Sequence, residues 1–175
     1  LLGFGTMRLP LSGDGTINEA QVKAMTRYAM EHGVNYFDTA YPYHDGDSER
    51  VMGCVLSEYP RDSYYLATKY PGHQLISTGY NPAEIFEKQL EKCGVEYFDF
   101  YLFHCLNRTS YPKHKQCNSF EVIKQLKEQG KIRHIAMSFH DTADILDMIL
   151  TEQPCIEAVQ LQINYLDYDD PAVQS

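Results

Sequence analysis

The chain has 175 residues, 43% of them hydrophobic and 22% charged, the composition of a globular protein with a core of its own. A formal charge of −9 argues against a nucleic-acid partner or an anionic membrane surface, since neither attracts an acidic protein. It leaves room for an anionic cofactor in a locally basic pocket. No apolar run approaches the roughly 20 residues of a membrane span, and no secretory leader is visible. Cys54, Cys93, Cys105, Cys117 and Cys155 form no CxxC pair and are odd in number, which points to reduced thiols in a cytoplasmic protein.

In chain order, the glycine-spaced LLGFGT of Leu1–Thr6 reads as a strand. Asn18 or Thr16 can cap a helix over Glu19–His32, with Val22, Met25, Ala29 and Met30 on one face. Gly33 ends it. Val34–Asp38 is the second strand, Ser48–Glu58 a helix stopped by Pro60, and Tyr64–Lys69 the third strand. A Gly-, Pro- and His-rich loop runs through Tyr80. Asn81-Pro82 is a capping residue followed by proline at the first helical position, opening a helix over Ala83–Cys93. Phe98–His104 is the fourth strand, and Cys105–Cys117 is expected to be a loop. A helix over Phe120–Gln129, a strand Ile132–Ser138, a helix Thr142–Leu150 capped by Asp141, and a strand Ile156–Ile163 follow. His32, His73, His114 and His134 fall at no strand end and are expected on the surface.

Strands separated by helices of this length must pair in parallel, with right-handed crossovers. A dinucleotide fold of the open-sheet type would carry G-x-G-x-x-G after its first strand, and Gly3-Phe4-Gly5-Thr6-Met7-Arg8 lacks the third glycine. Polar residues instead recur at strand ends: Asp38, Lys69, His104, Ser138 and Gln162. One residue per strand converging on a common mouth is the pattern of a (β/α)8 TIM barrel. Such barrels take about 250 residues, so this chain is expected to hold about the first six β/α units of one incomplete barrel domain. It opens on Leu1-Leu2 rather than methionine, and residues are expected upstream as well. The 1–175 chain alone is expected to bind a dinucleotide poorly, since barrel phosphate sites follow strands seven and eight.

The most informative stretch is Val34–Gly53, VNYFDTAYPYHDGDSERVMG. Its D-T-A-x-x-Y spacing, followed by Glu49 and Gly53, resembles the active-site signature of the aldo-keto reductases. L-A-T-K ending the third strand and Y-L-F-H ending the fourth extend the resemblance over nearly the whole chain. It implies an Asp38, Tyr43, Lys69, His104 tetrad. Singly, Asp38 would read as a strand-end cap, Lys69 as a solvated lysine and His104 as a core histidine. Tyr41 lies two residues from Tyr43 and is the alternative donor. YLFHCLN and AMSFHD resemble one bacterial subgroup whose members often carry a C-terminal iron–sulfur segment, so an iron–sulfur cluster is implied only beyond this sequence.

The resemblance implies a small-molecule carbonyl substrate and NADP(H), with NAD(H) the alternative. Cofactor contacts carried over from the family are Gly5, Thr6 and Met7, then Asp38, Ser138 and Gln162. Where the family has Asn after the serine this chain has Phe139, and His140 stands as the substitute. Gln160 competes with Gln162. The chemistry agrees with these roles. Reducing a carbonyl needs a hydride on carbon and a proton on oxygen, and an ammonium beside a phenol favours its ionisation. The competing readings are a cofactor-binding regulatory subunit of the same fold and a metal-dependent barrel hydrolase. The latter would need a histidine or carboxylate cluster at the strand ends.

Overall fold

The computed structural model describes residues 2–75 and 81–166. Six parallel strands form one sheet in sequential order: β1 Phe4–Gly5, β2 Tyr36–Asp38, β3 Tyr65–Tyr70, β4 Phe98–Leu106, β5 Ile132–Phe139 and β6 Ala158–Leu161. The helices are α1 Glu19–Glu31, α2 Ser48–Leu56, α3 Gly72–Leu75, α4 Pro82–Cys93, α5 Ser110–Gln116, α6 Ser119–Glu128 and α7 Ala143–Glu152. This is the expected succession, the first six strands of a (β/α)8 barrel.

Two apolar cores lie on opposite faces of the sheet. The larger joins outward strand residues, Phe37, Leu66, Tyr101 and Phe103, to the helices through Val51, Ile85, Phe86 and Ile123. The smaller is the barrel interior, where Ala67, Leu102 and Ala136 make the floor, with Tyr36, Phe100 and Ala158 packed against them. The small floor residues leave the volume above them to the polar residues at the strand ends. The register brings those residues to one level. Asp38 pairs with Ala67, and Lys69 stands two places further on. Lys69 pairs with Leu102, and His104 stands two places beyond that. The tilt of barrel strands turns this climb into a ring.

Asn18, rather than Thr16, caps α1, accepting from the Gln21 backbone N–H at 3.0 Å. Asn81 accepts from Ala83 at 3.0 Å as α4 opens. Gly53 marks where α2 crosses α4, since a Cβ there would lie 2.6 Å from the Cys93 backbone.

Four expectations need correction. Cys105–Cys117 is not all loop, because α5 occupies its second half. Pro112 falls in that helix's first turn, where its missing N–H has no intrahelical partner to lose, and Asn107 Oδ1 accepts from Thr109 and Ser110 at 2.9 Å each. α3 interrupts the loop after β3; the remainder, residues 76–80, lies outside the described residues. His114 is fully buried rather than on the surface, packed among Tyr70, Phe103 and Phe120 with Nδ1 3.0 Å from Ser119 Oγ. His32 and His134 are exposed as expected; the His73 side chain lies outside the described residues. The N-cap of α7 is Thr142 rather than Asp141; Asp141 accepts from the Thr142 N–H at 2.8 Å, and Arg108 holds its carboxyl well below the usual range.

At the end of the sheet away from the polar ring, Asp99 is fully buried. It accepts from Arg61 at 2.6 Å, from Arg133 at 2.9 Å and from the Leu66 backbone N–H at 2.9 Å. Both guanidiniums lie over the Tyr97 ring, 4.0 and 4.1 Å from its centre. The carboxylate thus staples β3, β4 and β5. Asp99→Ala would leave two cations and a backbone donor without their acceptor. It should cost about 3 kcal/mol, the low end for a broken buried pair because both arginines keep some solvent. A shift in urea midpoint measures it; a loss under about 1 kcal/mol would be that of a surface pair and would refute the staple.

Candidate active site

The strand-end residues surround a cavity of about 310 Å³. Tyr43, Lys69 and His104 line it, with Met7, Cys105, Ser138, His140, Gln160, Leu161 and Gln162. Asp38 lies directly behind Lys69. The four residues expected as a tetrad are therefore brought together by the fold.

Lys69 is the centre of the arrangement. It is 1% exposed, and its ammonium donates to Asp38 Oδ1 at 2.5 Å, to the Thr39 carbonyl at 2.8 Å and to the Tyr43 hydroxyl at 3.2 Å. An ammonium has three donors and no acceptor, so these bonds use all of it. The Tyr43 oxygen must accept from Lys69, which leaves the phenol's own hydrogen for another acceptor. His104, 8% exposed, sets its ring edge-on to that of Tyr43, 5.9 Å between centres at 81°. The second Asp38 oxygen accepts from Gln160 Nε2 at 3.2 Å, a contact from β6. Tyr41 points elsewhere, with Lys92 Nζ 4.4 Å above its ring. Of the two tyrosines, Tyr43 is the one that meets Lys69 and lines the cavity.

The residues expected at the cofactor divide. Met7, Ser138, His140 and Gln162 face the cavity. Gly5 is exposed and pairs with Asp38 in the sheet. The Thr6 side chain is fully buried, donating to the Asp38 carbonyl at 2.9 Å with its oxygen 2.9 Å from Ser48 Oγ. Its hydroxyl braces Asp38 and does not reach the cavity.

Three features were not visible beforehand. Cys105 sits at φ 55° where the register between β4 and β5 shifts, and its N–H donates to Ser138 Oγ at 2.8 Å. Burial pushes its thiol up. No local pattern announces a bulge. The second is the Gln160–Asp38 contact, for which Gln160 carried a signal only as the rival of Gln162. The third lies on the outer side of β3. Glu49, fully buried, accepts from Thr68 Oγ1 at 2.6 Å and Gln89 Nε2 at 2.5 Å. Gln89 also donates to the Lys69 carbonyl at 3.1 Å and accepts from Tyr101 at 2.6 Å. Burial raises the Glu49 carboxyl, against those hydrogen bonds and Lys92. The glutamate therefore supports the lysine strand from behind and has no place in the cavity.

Among the described residues no group of three or more His, Cys, Asp or Glu could hold a metal ion, and no helix is long and apolar enough to cross a membrane. All five cysteines are unbridged.

Residues 1–175 match the Aldo/keto reductase family profile. The aldo-keto reductase YhdN of Bacillus subtilis is 32% identical over 145 residues, covering 78% of this chain and 42% of its own. The methylglyoxal reductase YeaE of Escherichia coli is 27% identical over 152 residues, covering 82% of this chain and 50% of its own. The chain thus spans about half the length of these relatives. A crystal structure of an aldo/keto reductase from Klebsiella pneumoniae, in complex with NADP and acetate, superposes with a TM-score of 0.73 at 24% identity, over 96% of this chain and 57% of that one; it agrees with the fold. The profile spans the whole chain, and the chain belongs to the aldo/keto reductase family.

Proposed function

We propose that this chain carries the proton-donating centre of an NADP(H)-dependent reductase that converts an aldehyde or ketone to an alcohol. The observation that carries the reading is the exhausted donor set of Lys69, which obliges Tyr43 to accept from it and so turns the phenol hydrogen towards a substrate oxygen. Asp38 keeps the buried ammonium charged and in place, since a buried cation without its partner is strongly disfavoured. His104, whose ring meets that of Tyr43 edge-on, orients the carbonyl by hydrogen bonding. As Tyr43 gives up its proton, the ammonium 3.2 Å away stabilises the phenolate that forms.

The rim residues fit a nicotinamide. Ser138, His140 and Gln162 offer a hydroxyl, an imidazole and an amide around one cavity. The bond Ser138 receives from Cys105 does not commit its own hydrogen, so it can donate to a carboxamide oxygen. When bound, reduced nicotinamide supplies the hydride. Met7, half-exposed at the cavity wall, gives an apolar surface that limits water. The relatives lend support: one is named a methylglyoxal reductase, and one solved neighbour holds NADP. Small reactive carbonyls are therefore the first substrates to test.

Tyr43→Phe should lower kcat for NADPH-dependent reduction of small aldehydes by about 100-fold or more, in line with general-acid contributions, with cofactor affinity nearly unchanged. Full activity in Tyr43→Phe alongside loss in Tyr41→Phe would move the donor to Tyr41.

Lys69→Met removes the ammonium while keeping much of the side-chain volume. It should reduce kcat about tenfold or more, because the negative charge that develops on the phenol oxygen in the reaction then has no cation beside it. A kcat equal to that of the unsubstituted enzyme would take Lys69 out of the mechanism.

A further inference from the structure

Tyr43 projects from a turn of unusual backbone. His44, Asp45 and Gly46 follow it with φ of 52°, 55° and 92°. Glycine accepts the left-handed region without penalty; residues with a Cβ avoid it, although histidine and aspartate tolerate it better than most. Three such residues in succession persist only where their surroundings hold them.

Four bonds do so. Tyr43 N donates to the Ala40 carbonyl at 3.1 Å, and Asp47 N to the His44 carbonyl at 3.0 Å. Lys92 Nζ donates to the Gly46 carbonyl at 2.9 Å. The fourth comes from another part of the chain: the Leu9 backbone N–H donates to His44 Nε2 at 2.9 Å. Leu9 is 5% exposed, so its N–H has little solvent to turn to. To accept, the imidazole must be neutral with its proton on Nδ1. Leu9 follows directly on the segment that brings Met7 to the cavity wall. This single side-chain bond therefore joins the turn bearing the phenol to the segment bearing that wall.

We propose that His44 is a positioning residue for Tyr43. By accepting the Leu9 N–H it fixes the left-handed turn and so sets the phenol against Lys69 and His104. The proposal rests on Tyr43 being the proton donor. It assigns His44 no contact with substrate or cofactor. Glu49 likewise stays out of the cavity and braces the lysine strand from the opposite side of the sheet.

Three variants test it in the active enzyme. His44→Gln keeps an acceptor at the reach of Nε2. His44→Leu removes the acceptor but keeps bulk. His44→Gly removes it while relieving the backbone, and carries the comparison should His44→Leu not fold. Misplacing a reacting group by about 1 Å can cost about 100-fold; kcat should therefore fall about tenfold or more in His44→Leu and His44→Gly and stay within about threefold in His44→Gln. NADPH Kd, followed by nicotinamide fluorescence, should not move. Amide hydrogen exchange at Leu9 should speed up in the Leu and Gly variants and stay slow in the Gln variant. Wild-type kcat in His44→Gly with a fast-exchanging Leu9 amide would overturn the proposal, as would a loss of kcat in His44→Gln equal to that in His44→Leu. An inactive parent enzyme, or a fully active Tyr43→Phe, would instead overturn the reductase reading and with it the positioning role. The exchange data would still decide whether His44 ties the two segments.

Discussion

A buried ammonium with all three donors engaged is the constraint on which the rest of this structure depends. Lys69 is 1% exposed, and a lysine so placed is tolerable only with a carboxylate and good geometry. Asp38 supplies the charge, the Thr39 carbonyl supplies a second acceptor, and the Tyr43 oxygen takes the third bond. Each acceptor comes from the end of β2 or the turn after it. The strand-to-helix passage at residues 38–47 is therefore shaped around one cation projecting from β3.

Period-two alternation along β3 then doubles the arrangement. Lys69 points into the barrel, and Thr68, its neighbour, points out to Glu49. Two buried carboxylates thus flank one strand, Asp38 inside and Glu49 outside, each with its own lysine, Lys69 and Lys92. The inner network performs chemistry in the proposed reaction. The outer one ties β3, α2 and α4 together, and through Gln89 it takes hold of the Lys69 carbonyl. The backbone carrying the lysine is held from behind while its side chain is held from in front. This is the rigidity a charge-stabilising site needs, since a group that must reorganise during the reaction loses its advantage.

The opposite end of the sheet serves stability. Asp99 with Arg61 and Arg133 ties the lower ends of three strands together. Apolar residues below and polar groups above let the same six strands be a packed core at one height and line a polar cavity at the next.

Much of this was legible in the amino-acid sequence because it rests on local pattern. Hydrophobic periodicity and the stops at Gly33 and Gly94 marked the helices between parallel strands. The polar residues at strand ends, Asp38, Lys69, His104 and Ser138, announced a common mouth, and the resemblance carried by D-T-A-x-x-Y pointed to Tyr43, which lines that mouth while Tyr41 does not. Other features were decided only by tertiary contact. Thr6 reads as a cavity residue, yet its hydroxyl turns inward to the Asp38 carbonyl. Glu49 belongs to the stretch that carries the signature, yet its carboxylate meets Thr68 on the outer side of β3. His114 sits in a polar segment and is nonetheless buried among aromatic rings. His44 looks unremarkable beside Tyr43 until Leu9, 35 residues away in the chain, donates to it. The physical reason is the same in each case. Periodicity and spacing determine which face of an element a residue occupies, because they follow from backbone geometry over a few residues. Which polar atom meets which across the fold depends on strand register, shear and the packing of helices, and those exist only once the whole sheet has formed.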